Sequence, residues 1–76
     1  MKEVLGYIIK GIVKNPEDVK IVELVEENSK VFEVFLNDED VGQVIGKDGR
    51  TIKSINILLN ALAGPKNEKY VLRVIR

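Results

Sequence analysis

The chain contains no cysteine, no histidine and no tryptophan, and only two prolines. Without cysteine there is neither a disulfide nor a thiolate metal site. Without histidine the commonest general base and the commonest metal ligand are both missing. Ser29, Thr51 and Ser54 are its only hydroxyl nucleophiles of the serine or threonine type, and none has a partner that would complete a catalytic constellation. The expectation is a protein that is not an enzyme and carries no cofactor or metal. Long apolar runs are absent too, and nothing approaches the roughly 20 residues needed to cross a bilayer. The opening Met1-Lys2-Glu3-Val4-Leu5 carries an acid early. The apolar positions that follow are interrupted by Gly6, Lys10 and Gly11, which does not fit a secretory leader. A soluble, cytoplasmic chain with no membrane partner is expected, and the lack of disulfides suits a reducing compartment.

What is present is a compact amount of ordinary globular material. The 76 residues are 45% hydrophobic and 32% charged, enough for one domain over 1–76 with a small core. The formal net charge is zero, but its halves differ. Residues 1–40 hold five lysines against ten acids, a net of −5. Residues 41–76 hold seven basic residues against Asp48 and Glu68, a net of +5. Such a split suits either a localised anion-binding surface or two solvated faces of opposite sign.

Periodicity places the elements. Val4, Leu5, Ile8, Ile9, Ile12 and Val13 recur as one apolar face of a helix. Asn15-Pro16 ends it, because the residue before proline is pushed out of the helical region. Val19–Glu26 and Val31–Leu36 are rich in β-branched and aromatic residues and read as strands. The polar segment Glu27-Asn28-Ser29-Lys30 joins them as an antiparallel hairpin. Asn37-Asp38-Glu39-Asp40 is a helix-start signal in which acids meet the positive end of the helix. It opens a very short helix with Val41, Val44 and Ile45 on one face. A longer helix runs from Arg50 to Ala63, with Ile52, Ile55, Leu58, Leu59 and Leu62 as its buried stripe, of which Ile55, Leu58, Leu59 and Leu62 are read as core or as a partner interface. Gly64-Pro65 stops it, Lys66-Asn67-Glu68-Lys69 is a polar loop, and Tyr70–Ile75 is a last strand. The order α-β-β-α-α-β predicts an α+β fold: a three-stranded sheet, mixed or antiparallel, with helices on one face.

The chemistry concentrates between the two later helices, in Val44-Ile45-Gly46-Lys47-Asp48-Gly49-Arg50-Thr51-Ile52. Two glycines three apart allow a sharp turn and a close approach of a ligand to bare backbone. The helix that follows presents unpaired N–H groups to the loop, a setting that favours a phosphate. Lys47 adds a mobile cation, and Arg50 and Lys53 lie one helical step apart on the same side. A Walker loop is excluded, because the position five before Gly46 is Val41 and Lys47 is followed by Asp48. A dinucleotide fingerprint is excluded as well: position 44 is valine, and a helix rather than a strand precedes the loop. The acids at 38–40 are consecutive, without calcium-loop spacing, so they are read as helix capping.

This nine-residue run resembles the signature of KH domains, and the element order resembles their prokaryotic, type II arrangement. The whole chain, including Asn15-Pro16-Glu17-Asp18-Val19 and Asp40-Val41-Gly42-Gln43-Val44-Ile45-Gly46-Lys47, is similar to the small bacterial single-KH proteins of the KhpA family. The resemblance implies binding of about four nucleotides of single-stranded RNA, with the Gly-x-x-Gly loop on the backbone. It implies a role as an RNA chaperone or post-transcriptional regulator. It also implies self-pairing as a homodimer and a larger RNA-binding partner of the KhpB or Jag type.

Carried onto this sequence, the RNA-binding residues are Gly42, Ile45, Gly46, Lys47, Asp48, Gly49, Arg50, Ile52 and Lys53. Val41 and Val44 would join Ile45 and Ile52 as an apolar floor, with Val44, Ile45 and Ile52 shared between core and groove. Lys66 and Lys69 would add phosphate contacts from the loop at 64–69. Gly42 either leaves room for a nucleotide or permits close packing on the sheet. Asp48 either faces the phosphates or caps the following helix. None of the aromatics Tyr7, Phe32, Phe35 and Tyr70 lies on the elements of the groove. The rival reading is a protein-interaction module whose KH fold serves mainly dimerisation or partner binding.

Overall fold

A computed structural model describes residues 1–63 and 69–75. Helix α1 (Lys2–Ile12) leads through a short 3-10 turn at Pro16–Asp18 into strand β1 (Lys20–Glu26). Strand β2 (Ser29–Phe35), helix α2 (Asp38–Ile45), helix α3 (Arg50–Ala63) and strand β3 (Lys69–Ile75) follow. The expected α-β-β-α-α-β order is the observed one. The expectations for Gly64-Pro65, Lys66, Asn67 and Glu68 lie outside the described residues.

The sheet has β2 at its centre. β1 runs antiparallel to it, from Lys20 opposite Phe35 to Glu26 opposite Ser29. β3 runs parallel to it, from Ser29 beside Lys69 to Phe35 beside Ile75, so the sheet is mixed. The hairpin is tighter than expected. Asn28 adopts a left-handed conformation, φ 58°, which asparagine tolerates. Glu27 and Asn28 therefore complete the reversal, and Ser29 and Lys30 join the ladder instead of the turn. A parallel pair cannot be closed by a hairpin and needs a crossover. That crossover is α2, the glycine loop and α3, so the loop is held at both ends by elements packed on the sheet.

The period of two along the strands separates the faces. Ile21, Phe32, Val34 and Tyr70 join Leu5, Ile9, Val44, Ile55 and Leu59 in the buried core, with the Phe32 and Tyr70 rings stacked at 5.6 Å. Val31 points to the opposite face, where Glu26 and Arg73 form a 3.9 Å ion pair across β2. Asn60 ties α3 to the outer strand: its side-chain amide donates to the Tyr70 carbonyl (3.1 Å), and its oxygen accepts from the Tyr70 N–H (3.0 Å). The free edge of β3 thus finds a partner at that residue.

The predicted stripe of α3 is divided between core and surface. Ile55 and Leu59 are buried, but Leu58 is 45% exposed and Leu62 55%. Successive helical residues turn by 100°, which turns Leu58 away from the line through Ile55 and Leu59; Leu62, one turn beyond Leu58, is exposed at the end of the helix. Leu58 and Leu62, one turn apart, form an exposed apolar strip, whereas Ile57, 61% exposed, stands on another side of the helix.

Candidate nucleic-acid interface

The site is built around α2. At its start, Asn37 accepts a hydrogen bond from the Glu39 N–H (2.9 Å), the cap its position predicts. Asp40 does something its sequence position did not suggest. It is 1% exposed, and it accepts hydrogen bonds from the backbone N–H groups of Lys14 and Asn15, each at 3.0 Å. The Asn15 side-chain amide donates to it as well, at 3.1 Å. A carboxylate of α2 therefore clamps the chain segment that leaves α1. The Lys14 N–H is the main cause holding the Asp40 carboxyl below its ordinary range; burial opposes this and the Asn15 bonds add to it.

At its other end α2 stops at Gly46, whose N–H still bonds to the Gly42 carbonyl at 2.8 Å. Gly46 has φ 77° and ψ 172°, a conformation essentially reserved for glycine. An added Cβ there would collide with Thr51, lying 2.7 Å from its Cβ and 2.8 Å from its backbone N as well as against its Oγ1. Lys47–Gly49 form a single 3-10 turn, with Asp48 (φ 57°) and Gly49 (φ 74°) both left-handed. Asparagine, aspartate and glycine are the residues that enter this region most readily. The two glycines are thus not equivalent. Gly46 is required by both conformation and space, whereas a Cβ on Gly49 would meet nothing within 4 Å.

Lys47, Asp48, Arg50 and Lys53 are all exposed, while Ile45, Gly46, Gly49 and Ile52 are half-buried. Among the described residues, no ion pair engages Lys47, Arg50 or Lys53. The first N–H groups of α3, a 14-residue helix, lie beside these cations. Such an arrangement can hold an anion through backbone and side chains together.

The expected apolar floor is smaller than the sequence suggested. Val44 is fully buried in the core and Val41 nearly so, because their turn of α2 faces inward. Only Ile45 and Ile52 offer apolar surface there. Gly42 is exposed with open space above it, which removes the alternative of close packing on the sheet. Sequence reasoning missed Thr51, the wall against which Gly46 is fitted, and the Asp40 clamp. Lys69 opens β3 and is exposed; Lys66 lies outside the described residues. No described helix is long and apolar enough to cross a membrane.

A Gly-x-x-Gly turn joining two helices on the crossover of a mixed three-stranded sheet, in the order α-β-β-α-α-β, defines a type II KH domain. Residues 2–74 match the model of the KhpA/KhpB KH domain. The chain is 58% identical over 76 residues, the full length of both proteins, to the RNA-binding protein KhpA of Thermotoga maritima. It is 41% identical over 75 residues to that of Chlamydia trachomatis, covering 99% of this chain and 96% of the relative. It is equally similar to the Clostridium perfringens protein, covering 99% and 100%. The chain belongs to the KhpA/KhpB KH-domain family, which is not a family of enzymes.

Proposed function

We propose that residues 1–76 act as one KH domain that binds single-stranded RNA, holding about four nucleotides beside the Gly46-Lys47-Asp48-Gly49 loop. The observation that carries this reading is the set of exposed cations Lys47, Arg50 and Lys53, unpaired among the described residues, around a glycine turn at the start of α3. Lys47 and the Gly46 and Gly49 backbone contact phosphates, with Asp48 at the tip of the same turn. Arg50 and Lys53 flank the strand. Ile45 and Ile52 lie under a base, and the bare Cα of Gly42 leaves it room. The names of the relatives support an RNA partner. A cytoplasmic role as an RNA chaperone or post-transcriptional regulator fits this chemistry.

Fluorescence anisotropy on an unstructured RNA and on a perfect duplex tests the reading, with the single strand bound more tightly. Two or three neutralised phosphates give a slope of log K against log salt near about −1.4 to −2. Duplex binding as tight as single-strand binding, or a slope near zero, would refute the groove.

A second reading, protein pairing, is favoured by the exposed Leu58 and Leu62, one turn apart on α3. A small core and an uncovered apolar helix face suit a homodimer, or a heteromer with a KhpB- or Jag-like RNA-binding protein. The two readings are compatible. Sedimentation equilibrium at micromolar concentration is expected to give a dimer that Leu58→Asp dissociates. A mass that stays monomeric at all concentrations contradicts pairing with itself.

A further inference from the structure

Away from the glycine loop, α1 and the chain at Val19 and Ile21, where the outer strand β1 begins, flank an open groove of about 570 Å³. Its floor is Gly6, Val19 and Ile21, and its rim carries Lys2, Glu3, Tyr7 and Lys10. Tyr7 is 84% exposed. The other tyrosine, Tyr70, is buried against Phe32. The core makes little use of the Tyr7 ring. Lys2, Gly6 and Lys10 are successive i, i+4 positions on one line of the helix, with Tyr7 beside them. A cation thus stands on either side of a bare glycine and an open ring. Glu3 is the one carboxylate of the rim against two lysines. Neither lysine is engaged in an ion pair among the described residues.

We propose that this groove is a second contact for single-stranded RNA, with a base stacked on Tyr7 and backbone phosphates held by Lys2 and Lys10. The inference rests on the RNA-binding reading above and extends it to a separate surface. It supplies what the loop groove lacks, since no aromatic lies on α2, the glycine turn or α3. Stacking on an aromatic ring tolerates any base, and phosphates flanked by cations give attraction without sequence preference. An RNA longer than the four nucleotides of the loop site would engage both surfaces and gain affinity from their linkage.

The experiment compares an oligonucleotide of about four nucleotides with one of about twelve, using NMR titration of the full chain and anisotropy. The twelve-mer is expected to shift the amides of residues 2–10 and 19–21 as well as those of 42–53. The four-mer is expected to shift only the latter. Tyr7→Ala should weaken the twelve-mer about fivefold and leave the four-mer unchanged, while Tyr7→Phe retains the affinity. Lys2→Ala with Lys10→Ala should make the twelve-mer's salt slope shallower by about 1.4. Twelve-mer shifts confined to 42–53, with Tyr7→Ala binding like the parent, overturn the proposal and leave the groove to a protein partner. Equal weakening of both RNAs by Tyr7→Ala, or a Tyr7→Phe defect as large, also overturns it. If neither RNA binds the parent chain, RNA binding itself is refuted, a result distinct from the loss of this contact alone.

Discussion

The two ends of α2 treat charge in opposite ways. At the start, the carboxylate of Asp40 is buried and fully committed, with two backbone N–H groups and a side-chain amide donating to it. At the finish, the cations of Lys47, Arg50 and Lys53 are exposed, and no carboxylate among the described residues engages them. A charge satisfied inside the molecule fixes the fold. A charge left unsatisfied at a surface of fixed geometry is available to a ligand. The same helix thus joins an internal anchor to an external grip, and the rigidity of the first end supports the preorganisation of the second.

Changes at the finish of the helix separate shape from charge. Gly46→Ala forces a Cβ onto Thr51 in a backbone conformation that only glycine adopts comfortably. A loss of about 3 kcal/mol in urea unfolding, together with loss of RNA binding, is expected. Gly49→Ala meets open space and is opposed only by its left-handed φ, so a cost of about 1 kcal/mol is expected. Equal costs at the two positions would remove the steric role assigned to Thr51.

At the start of the helix, Asp40→Asn keeps the shape and removes the charge. Because the folded-state pKa of Asp40 is lowered, its contribution is fully present above the ordinary carboxylate range. It is lost as pH falls through the folded value. Parent and variant should therefore differ in urea stability at neutral pH and converge as the pH drops below about 4. A difference independent of pH would show that the clamp is not ionic.

The smallest effect belongs to Asp48→Asn, which preserves a residue tolerant of φ 57° and removes the one negative charge of the turn. Stability should change by less than about 0.5 kcal/mol, and RNA affinity should rise by about twofold to fivefold. An affinity that falls would mean that the carboxylate itself serves the grip.

Much of this architecture could be read from the sequence, and the exceptions share a cause. The periodicities of α1, β1 and β2 marked the elements, and the glycines at 46 and 49 marked the turn, because these signals are local. Whether β3 would pair parallel or antiparallel stayed open, since its neighbour is chosen by the crossover rather than by Tyr70–Ile75. Leu58 and Leu62 look as buried as Leu59 in a stripe, yet only the docking of α3 at the sheet decides which line of the helix is covered. Asp40 reads as a capping acid because Lys14 and Asn15, its true partners, lie 26 and 25 positions away. Of the expected groove floor, Val41 and Val44 are taken up by the core, for the same reason: apolar residues beside a site are first claimed by the core.

The central claim is that the loop at the free end of α2 is the RNA grip, and Lys47→Asp tests it most directly. Residue 47 is exposed, so the stability of the variant in thermal unfolding should match that of the parent to within about 0.5 kcal/mol. Two adjacent carboxylates, the introduced one and that of Asp48, would then face the RNA backbone. Affinity for an unstructured single strand, measured by anisotropy at fixed salt, should fall at least about tenfold, equivalent to about 1.4 kcal/mol. A folded Lys47→Asp protein that binds the single strand as tightly as the parent would contradict the account and leave protein pairing through α3 as the better reading.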